Sequence, residues 1–180
     1  MYYSQALDSL FREFPDARFV EKKSSFFMRV IDVCLRIITL GAMRRFMTNF
    51  VTVVGSTVYL PTSWDERTPT QKAVSIHHEM VHLRQRRRYG GFFFTLRYLC
   101  WPLPTIYALG RLRLEQEAYE ETLRTWVRFR GQTVLEDADL REHIVSHFTS
   151  ASYFWTYPFK RELEVWYNQT VKKLKTEIKV

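Results

Sequence analysis

The clearest pattern of apolar and polar positions in the chain runs from residue 68 to residue 91. Residues 70–89 contain neither Gly nor Pro, and on a helix they form two stripes on roughly opposite sides. The stripes consist of Val74, His78, Val81 and Gln85, and of Ala73, Ile76, Met80 and Leu83. Thr68 suits an N-cap, Pro69 the first helical position and Gly90 the end. The pattern therefore predicts an interior helix over residues 69–89.

The rest of the chain has further helical patterns and one hairpin pattern. Helices are predicted over residues 2–14, 24–40, 111–130, 136–148 and 159–178. Within residues 50–61, two β-branched runs flank Gly55-Ser56, which is typical of a β-hairpin. The predicted fold class is α+β, helix-rich, with a small antiparallel sheet that precedes the interior helix. A chain of 180 residues fits one domain. We expect a core of about 50–130, with N-terminal helices (1–45) and C-terminal helices (136–180) packed on it.

Two apolar segments have more than one interpretation. Residues 24–40 are apolar almost all round, which predicts a core helix; because they include Arg29, Asp32 and Arg36, a membrane-surface role is the alternative. Residues 90–110, rich in aromatics and interrupted by prolines, fit core packing or a pocket lining, but not a membrane span; an interfacial role is a further alternative. Cys34 and Cys100 both lie in apolar surroundings and are expected to be buried free thiols.

The charge balance favours acidic partners. The chain has 27 Lys+Arg against 19 Asp+Glu, a net charge of +8, which suits an acidic protein surface, nucleic acid or anionic lipid. Basic residues cluster at Arg84, Arg86, Arg87 and Arg88, and at Lys172, Lys173, Lys175 and Lys179. The arginines also fit a simpler role, which is to stabilise the C-terminus of a helix. The first residues have no signal-peptide pattern, so a cytoplasmic location is expected.

The interior helix contains the motif His78-Glu79-Met80-Val81-His82. Residues four apart lie on the same face of a helix, so His78 and His82 can bind one zinc ion together. Glu79 lies about 100° around the helix, where its carboxylate can take a proton from a metal-bound water. The alternative is a core helix with two chance histidines. No residue at helical spacing would form a metal-ligand pair with His77, which is expected to support the site or the structure.

The helix over 111–130 supplies a candidate third ligand. Glu115 falls on a stripe with Leu112, Tyr119, Leu123 and Trp126, so it is predicted to point inward, whereas Glu117 lies on a solvated face. A carboxylate on an inward stripe needs a partner, and a metal ion would provide one. The alternative is a surface acid at a frayed helix start.

Three residues further along are candidates to stabilise an oxyanion. Tyr153 and Tyr157 lie in a segment dense in aromatics and can donate hydrogen bonds. Their alternative role is to dock the C-terminal helix. His147 is a candidate donor into the cleft. Since it lies four residues after His143, a second metal site or a structural role is the alternative.

The order of hairpin, His78-Glu79-x-x-His82 helix and downstream Glu115-x-x-Ala118 resembles the zincin metallopeptidases, specifically the gluzincin branch. The resemblance covers residues 50–130. The sequence is similar to small proteins of this type from bacteria and phages. It implies one zinc ion held by His78, His82 and Glu115, with Glu79 as general base. It also implies a protein or peptide substrate that pairs with the strand before the helix. Tyr119 departs from the family, which often has Asp or Asn there.

The resemblance thus predicts a zinc-dependent hydrolase, most simply a metallopeptidase. A catalytically silent zincin-like binding module within a larger assembly is the alternative, and a phage origin would make it virion-associated. A nucleic-acid-associated protease is a further alternative, based on the net charge alone.

Overall fold

The computed structural model describes residues 2–91, 106–149 and 160–177, with the backbone alone for residues 106–109. Its backbone contacts divide the chain into two compact units, Met1–Phe94 and Thr95–Val180. The first unit contains α1 (Tyr2–Glu13), β1 (Arg18–Glu21), α2 (Phe26–Ile38), α3 (Phe46–Asn49), β2 (Thr52–Val54), β3 (Thr57–Leu60) and α4 (Pro69–Tyr89). The second contains α5 (Ile106–Arg130), α6 (Ala138–Thr149) and α7 (Lys160–Glu177). Short 3-10 turns cover Lys22–Ser24 and Gln132–Glu136.

The sheet of the first unit is mixed. Its strand order is β1-β3-β2: β2 pairs antiparallel with β3, and β1 pairs parallel with β3. The α+β class and the hairpin are therefore confirmed, but the prediction of a purely antiparallel sheet was wrong. Residues 18–21 carry no hairpin signal, because a parallel partner is reached through a long connection rather than a tight turn.

The central position of β3 bears on the implied substrate site. Both edges of β3 are occupied, so the strand directly before α4 has no edge to offer an extended peptide. The expectation that a substrate pairs with this strand was wrong for β3. Within the described part of the sheet, the edges belong to β1 and β2.

The core of the first unit forms where α1 packs against α4. Ala6 and Leu10 are buried on α1, and the α4 stripe of Ala73, Ile76, Met80 and Leu83 is buried as predicted. At the surface of this contact, Arg84 donates two hydrogen bonds to the Glu13 carboxylate, at 2.7 and 2.6 Å. Arg87 donates to the Glu13 carbonyl and lies over the Phe14 ring. Two arginines of the predicted basic cluster thus attach α4 to α1.

The expected burial of α2 was wrong. Only Met28 and Asp32 are buried on this helix, and seven of its other residues, including Cys34, are exposed apolar or thiol side chains. The expectation of a buried Cys34 was therefore wrong as well. A sequence apolar on most sides does not specify which side meets the core. Cys100 and nearly all of residues 90–110 lie outside the described residues.

The second unit has its own apolar core. Residues from all three of its helices form one buried cluster, including Leu123 on α5, Ile144 and Phe148 on α6, and Leu163 on α7. In the ranges described for the two units, no helix is long and apolar enough to cross a membrane.

Candidate metal centre

Local signals position the motif helix α4. The Thr68 hydroxyl accepts a hydrogen bond from the Gln71 backbone N–H at 3.2 Å, and the Gln71 side chain accepts one from the Thr68 N–H at 2.9 Å. This capping box satisfies two of the helix's free N-terminal donors. Pro69 occupies the first turn, and Gly90 ends the helix with φ of +78°, a conformation that favours glycine. The positions of Thr68, Pro69 and Gly90 were predicted, whereas the reciprocal bond from Gln71 was not.

The two motif histidines lie one turn apart with their rings close together. The ring centroids of His78 and His82 are 5.0 Å apart. His82 is buried, while His78 is partly exposed. The His82 Nδ1 lies 2.9 Å from the Gln85 Oε1, which can only accept, so Nδ1 is the donor. That bond fixes the ring and leaves Nε2 of His82 with the lone pair that binds a metal ion.

Glu115 lies on the buried side of α5. Its side chain is 0% exposed, whereas Glu117 on the same helix is exposed, as the spacing predicted. Side-chain ligand atoms of His78, His82 and Glu115 all lie within 4.8 Å of one another. The structure therefore brings together a His-His-Glu group close enough to hold one metal ion.

The donor set fits a zinc ion. Zinc binds imidazole nitrogen at about 2.0–2.1 Å and carboxylate oxygen at about 2.0–2.2 Å, and catalytic sites combine three protein ligands with an open position. The ligand atoms lie within 4.8 Å of one another, which is close enough for the three side chains to share one ion. Two imidazoles and one carboxylate also leave the ion with a net positive charge, which is needed to activate a water molecule.

Two cations accompany the buried motif carboxylate, Glu79. Lys22 and Arg67 both interact electrostatically with Glu79. Burial lowers the pKa of Lys22 to about 7, although Glu79 and Asp32 partly offset this effect. The Lys22 amine donates to the Phe46 carbonyl at 2.8 Å and lies 3.6 Å from the centre of the Phe46 ring.

Arg67, the second of these cations, contacts three other residues of the first unit. Its guanidinium donates to the Ser75 hydroxyl at 2.9 Å and to the Asn49 carbonyl, and it lies over the Trp64 ring. Burial lowers the pKa of Arg67, and Glu79 raises it. Both cations belong to the first unit: Lys22 begins the 3-10 turn that follows β1, and Arg67 lies in the loop before α4.

The candidate oxyanion donors are only partly described. Tyr153 and Tyr157 lie outside the described residues. The Nδ1 of His147 lies 2.7 Å from the His143 carbonyl on the same helix, and its ring is 5.7 Å from that of Tyr119. His147 therefore lies beside the α5 turn that follows Glu115. In the ranges that the structure covers, neither His143 nor His147 belongs to a three-residue metal-binding group.

The lysines of the C-terminal cluster contact acidic residues of their own unit. Lys173 donates to Glu120 at 2.6 Å, and Lys175 donates to Glu136 at 2.8 Å. Lys179 lies outside the described residues. That this cluster binds acidic partners stays a prediction. Two of its lysines already pair with carboxylates of the second unit.

Gln85 and Lys22 were not recognised from the sequence as parts of the site. Gln85 follows His82 by three residues on the same helix, a spacing that allows contact, so a signal for it was present. Lys22 lies far from the motif in the chain and stands beside the exposed Lys23 with no apolar pattern around it. It is buried and directly follows β1, whose parallel pairing with β3 the sequence did not reveal.

Comparisons of the sequence with protein-family models and with curated proteins, and of the structure with solved structures, give no match. The functional assignment therefore depends on the residues of the candidate metal centre.

Proposed function

We propose that the protein is a zinc-dependent hydrolase, specifically a metallopeptidase of the gluzincin type. The observation that carries the proposal is the His78, His82 and Glu115 group, whose ligand atoms lie within 4.8 Å of one another. The buried Glu79 directly follows the first of these residues on α4. This combination of two imidazoles, a ligand carboxylate and a separate carboxylate supports hydrolysis better than metal storage, because a storage site has no use for the second carboxylate.

In the proposed mechanism, His78, His82 and Glu115 hold the ion, and Gln85 fixes the ring of His82. When bound, zinc lowers the pKa of a coordinated water to about 7 and polarises a carbonyl oxygen. Glu79 accepts the proton of the attacking water and passes it to the leaving amine. Lys22 and Arg67 interact with Glu79 most strongly when it is ionised, which is the form that acts as base.

The test begins with the metal content of the freshly purified full chain, measured by inductively coupled plasma mass spectrometry. We expect about one zinc ion per chain, the stoichiometry of a three-ligand catalytic site. Glu115→Gln is expected to lose most of the zinc. Glu117→Gln is the matched control, since it makes the same change at an exposed position of the same helix. Equal zinc content in the two variants would contradict the assignment of Glu115.

Activity is then tested with fluorogenic peptide libraries and with casein. Glu79→Gln is expected to retain zinc and to lose at least about a hundredfold in turnover, the usual range for a general base. Full activity in Glu79→Gln would remove this residue as the base. Zinc binding without turnover of any substrate would contradict the peptidase assignment.

A second candidate, a catalytically silent zincin-like binding module, is favoured by one observation. The central position of β3 leaves no edge there for an extended substrate. The same pair of assays separates the two candidates, because a silent module binds zinc through the same residues and cleaves nothing.

A further inference from the structure

Helix α2 presents a continuous apolar face to solvent. We define the α2 apolar face as Phe26, Phe27, Val30, Val33, Cys34, Ile37 and Ile38, all of which are exposed. At 100° per residue these positions share one side of the helix. Phe26 is 73% exposed and Ile37 68%, and Leu40, just beyond the helix, is 95% exposed. Contiguous exposed apolar surface of this kind marks an interaction site rather than ordinary protein surface.

The opposite side of α2 contains its buried residues. Met28 and Asp32 are buried there, and Asp32 forms a 2.8 Å ion pair with Arg36. The Ser25 hydroxyl caps the first turn by accepting from the Met28 N–H at 3.3 Å. The inner side of α2 is therefore its buried side, and the α2 apolar face is turned to solvent.

Basic side chains border this face. Five bases at or near α2 are exposed: Lys23, Arg29, Arg36, Arg44 and Arg45. Of the acids in residues 21–45, Glu21 pairs with Lys23 at 2.9 Å and Asp32 is buried on the inner side. Arg29 also lines a shallow groove with Phe26, Val30, Val33 and Cys34. An apolar stripe with a basic border is the pattern of helices that bind anionic bilayers.

We propose that the α2 apolar face binds the surface of an anionic lipid bilayer. The helix has 13 residues, about 20 Å in length at 1.5 Å per residue, so it is too short to cross a hydrocarbon core of about 30 Å and lies in the plane of the interface. Its apolar side chains enter the boundary between headgroups and acyl chains, and the arginines meet lipid phosphates. A second copy of the chain fits this face less well, because pairing two such faces brings two basic borders together.

This proposal is independent of the metal centre, and it is tested with the full chain. Co-sedimentation is measured with vesicles of phosphatidylcholine containing 30% phosphatidylserine, and with vesicles of phosphatidylcholine alone. Ile37→Glu is compared with Val165→Glu, a matched control on α7 that adds the same charge at another exposed apolar position. We expect wild type to bind the anionic vesicles at least tenfold better than the neutral ones. We expect Ile37→Glu to bind at least tenfold more weakly than wild type, and Val165→Glu to stay within about twofold.

A second measurement reports on the face itself. In a Cys100→Ser background, Cys34 is labelled with an environment-sensitive fluorophore, and a blue shift is expected on anionic vesicles only. Circular dichroism verifies that each variant is folded. No binding by the folded wild type, equal binding to neutral vesicles, or equal loss in the two glutamate variants would overturn the proposal. So would a stable dimer in sedimentation velocity that Ile37→Glu abolishes, since the face would then belong to a second copy.

Discussion

Lys22 is a fully buried amine, and its burial has a consequence for pH. In the unfolded chain a lysine titrates near pH 10.4, whereas in the folded protein burial lowers the pKa of Lys22 to about 7. Between these two values the unfolded state binds more protons than the folded state. The contribution of Lys22 to the free energy of unfolding therefore rises as pH increases from about 7 to about 10.

Replacing Lys22 with Met removes this pH dependence. The difference in the free energy of unfolding, wild type minus Lys22→Met, is expected to grow with pH above about 7, by up to about 1.4 kcal/mol per pH unit. The variant also loses the bond to the Phe46 carbonyl, and the pH dependence of that bond is already contained in the pKa of Lys22. Urea unfolding at several pH values measures the difference. A flat difference would show that the pKa of Lys22 is not lowered.

Gln85 offers a second prediction, because it orients a proposed metal ligand. Gln85→Met keeps a side chain of similar size but removes the acceptor for the His82 Nδ1–H, so zinc affinity is expected to fall by about 10–100-fold. Gln85→Glu restores an acceptor and is expected to recover most of the affinity. Competition with a chromogenic chelator measures both variants. An equal loss of zinc affinity in Gln85→Met and Gln85→Glu would indicate that Gln85 acts through packing instead.

At the scale of elements, the contact between α1 and α4 depends on an apolar stripe and one bidentate ion pair. The hydrogen bond from Arg84, which outweighs burial, holds the pKa of Glu13 below its usual range. A carboxyl group with a lowered pKa stabilises the fold above its unfolded pKa of about 4.3, and the contribution is lost as pH falls through the folded pKa.

A double-mutant cycle with Glu13→Gln and Arg84→Met measures this pair. Both side chains are partly exposed, so we expect a coupling free energy of only about 0.5–1 kcal/mol at pH 7. The coupling is expected to decrease in acid, as pH falls through the lowered pKa of Glu13 and its carboxylate becomes protonated. Thermal or urea unfolding of the four proteins provides the values. Additive effects at pH 7 would show that the pair contributes nothing to the docking of α1.

The elements that the sequence predicted are those with local signals. Thr68, Pro69 and Gly90 mark the ends of α4 within the helix's own residues, and the inward position of Glu115 follows from spacing on one helix. The parallel pairing of β1 has no such signal, since its partner lies some 40 residues away. The exposure of α2 was missed for a related reason. The apolar pattern can be read from the residues of the helix itself, but whether another segment covers them cannot.

At the scale of the whole molecule, a bound ion would add to stability by mass action. A ligand that binds only the folded state stabilises it by about 4 kcal/mol at a thousand times its Kd. The proposed ligands lie at positions 78, 82 and 115, so unfolding of either segment would release the ion.

Removal of the metal is therefore expected to lower the thermal midpoint. For a chain of this size, excess chelator should reduce Tm by on the order of 10 °C in wild type. Glu115→Gln should show little further change, because it has already lost the ion. Differential scanning calorimetry with and without chelator measures both. An equal response of the two proteins would place the stabilising ion, if any, at other residues.

The parallel register of β1 on β3 also decides when the first unit can assemble during synthesis. Arg18 pairs with Thr57, and α1 packs on α4, which ends only at Tyr89. At about 5–20 residues per second, the N-terminal segment leaves the ribosome several seconds before its partners have been made. The β2–β3 hairpin closes in about 1–10 μs once it has emerged. Until α4 has also emerged, α1 and β1 lack the partners against which they pack, and the apolar α2 belongs to a nascent chain without a core.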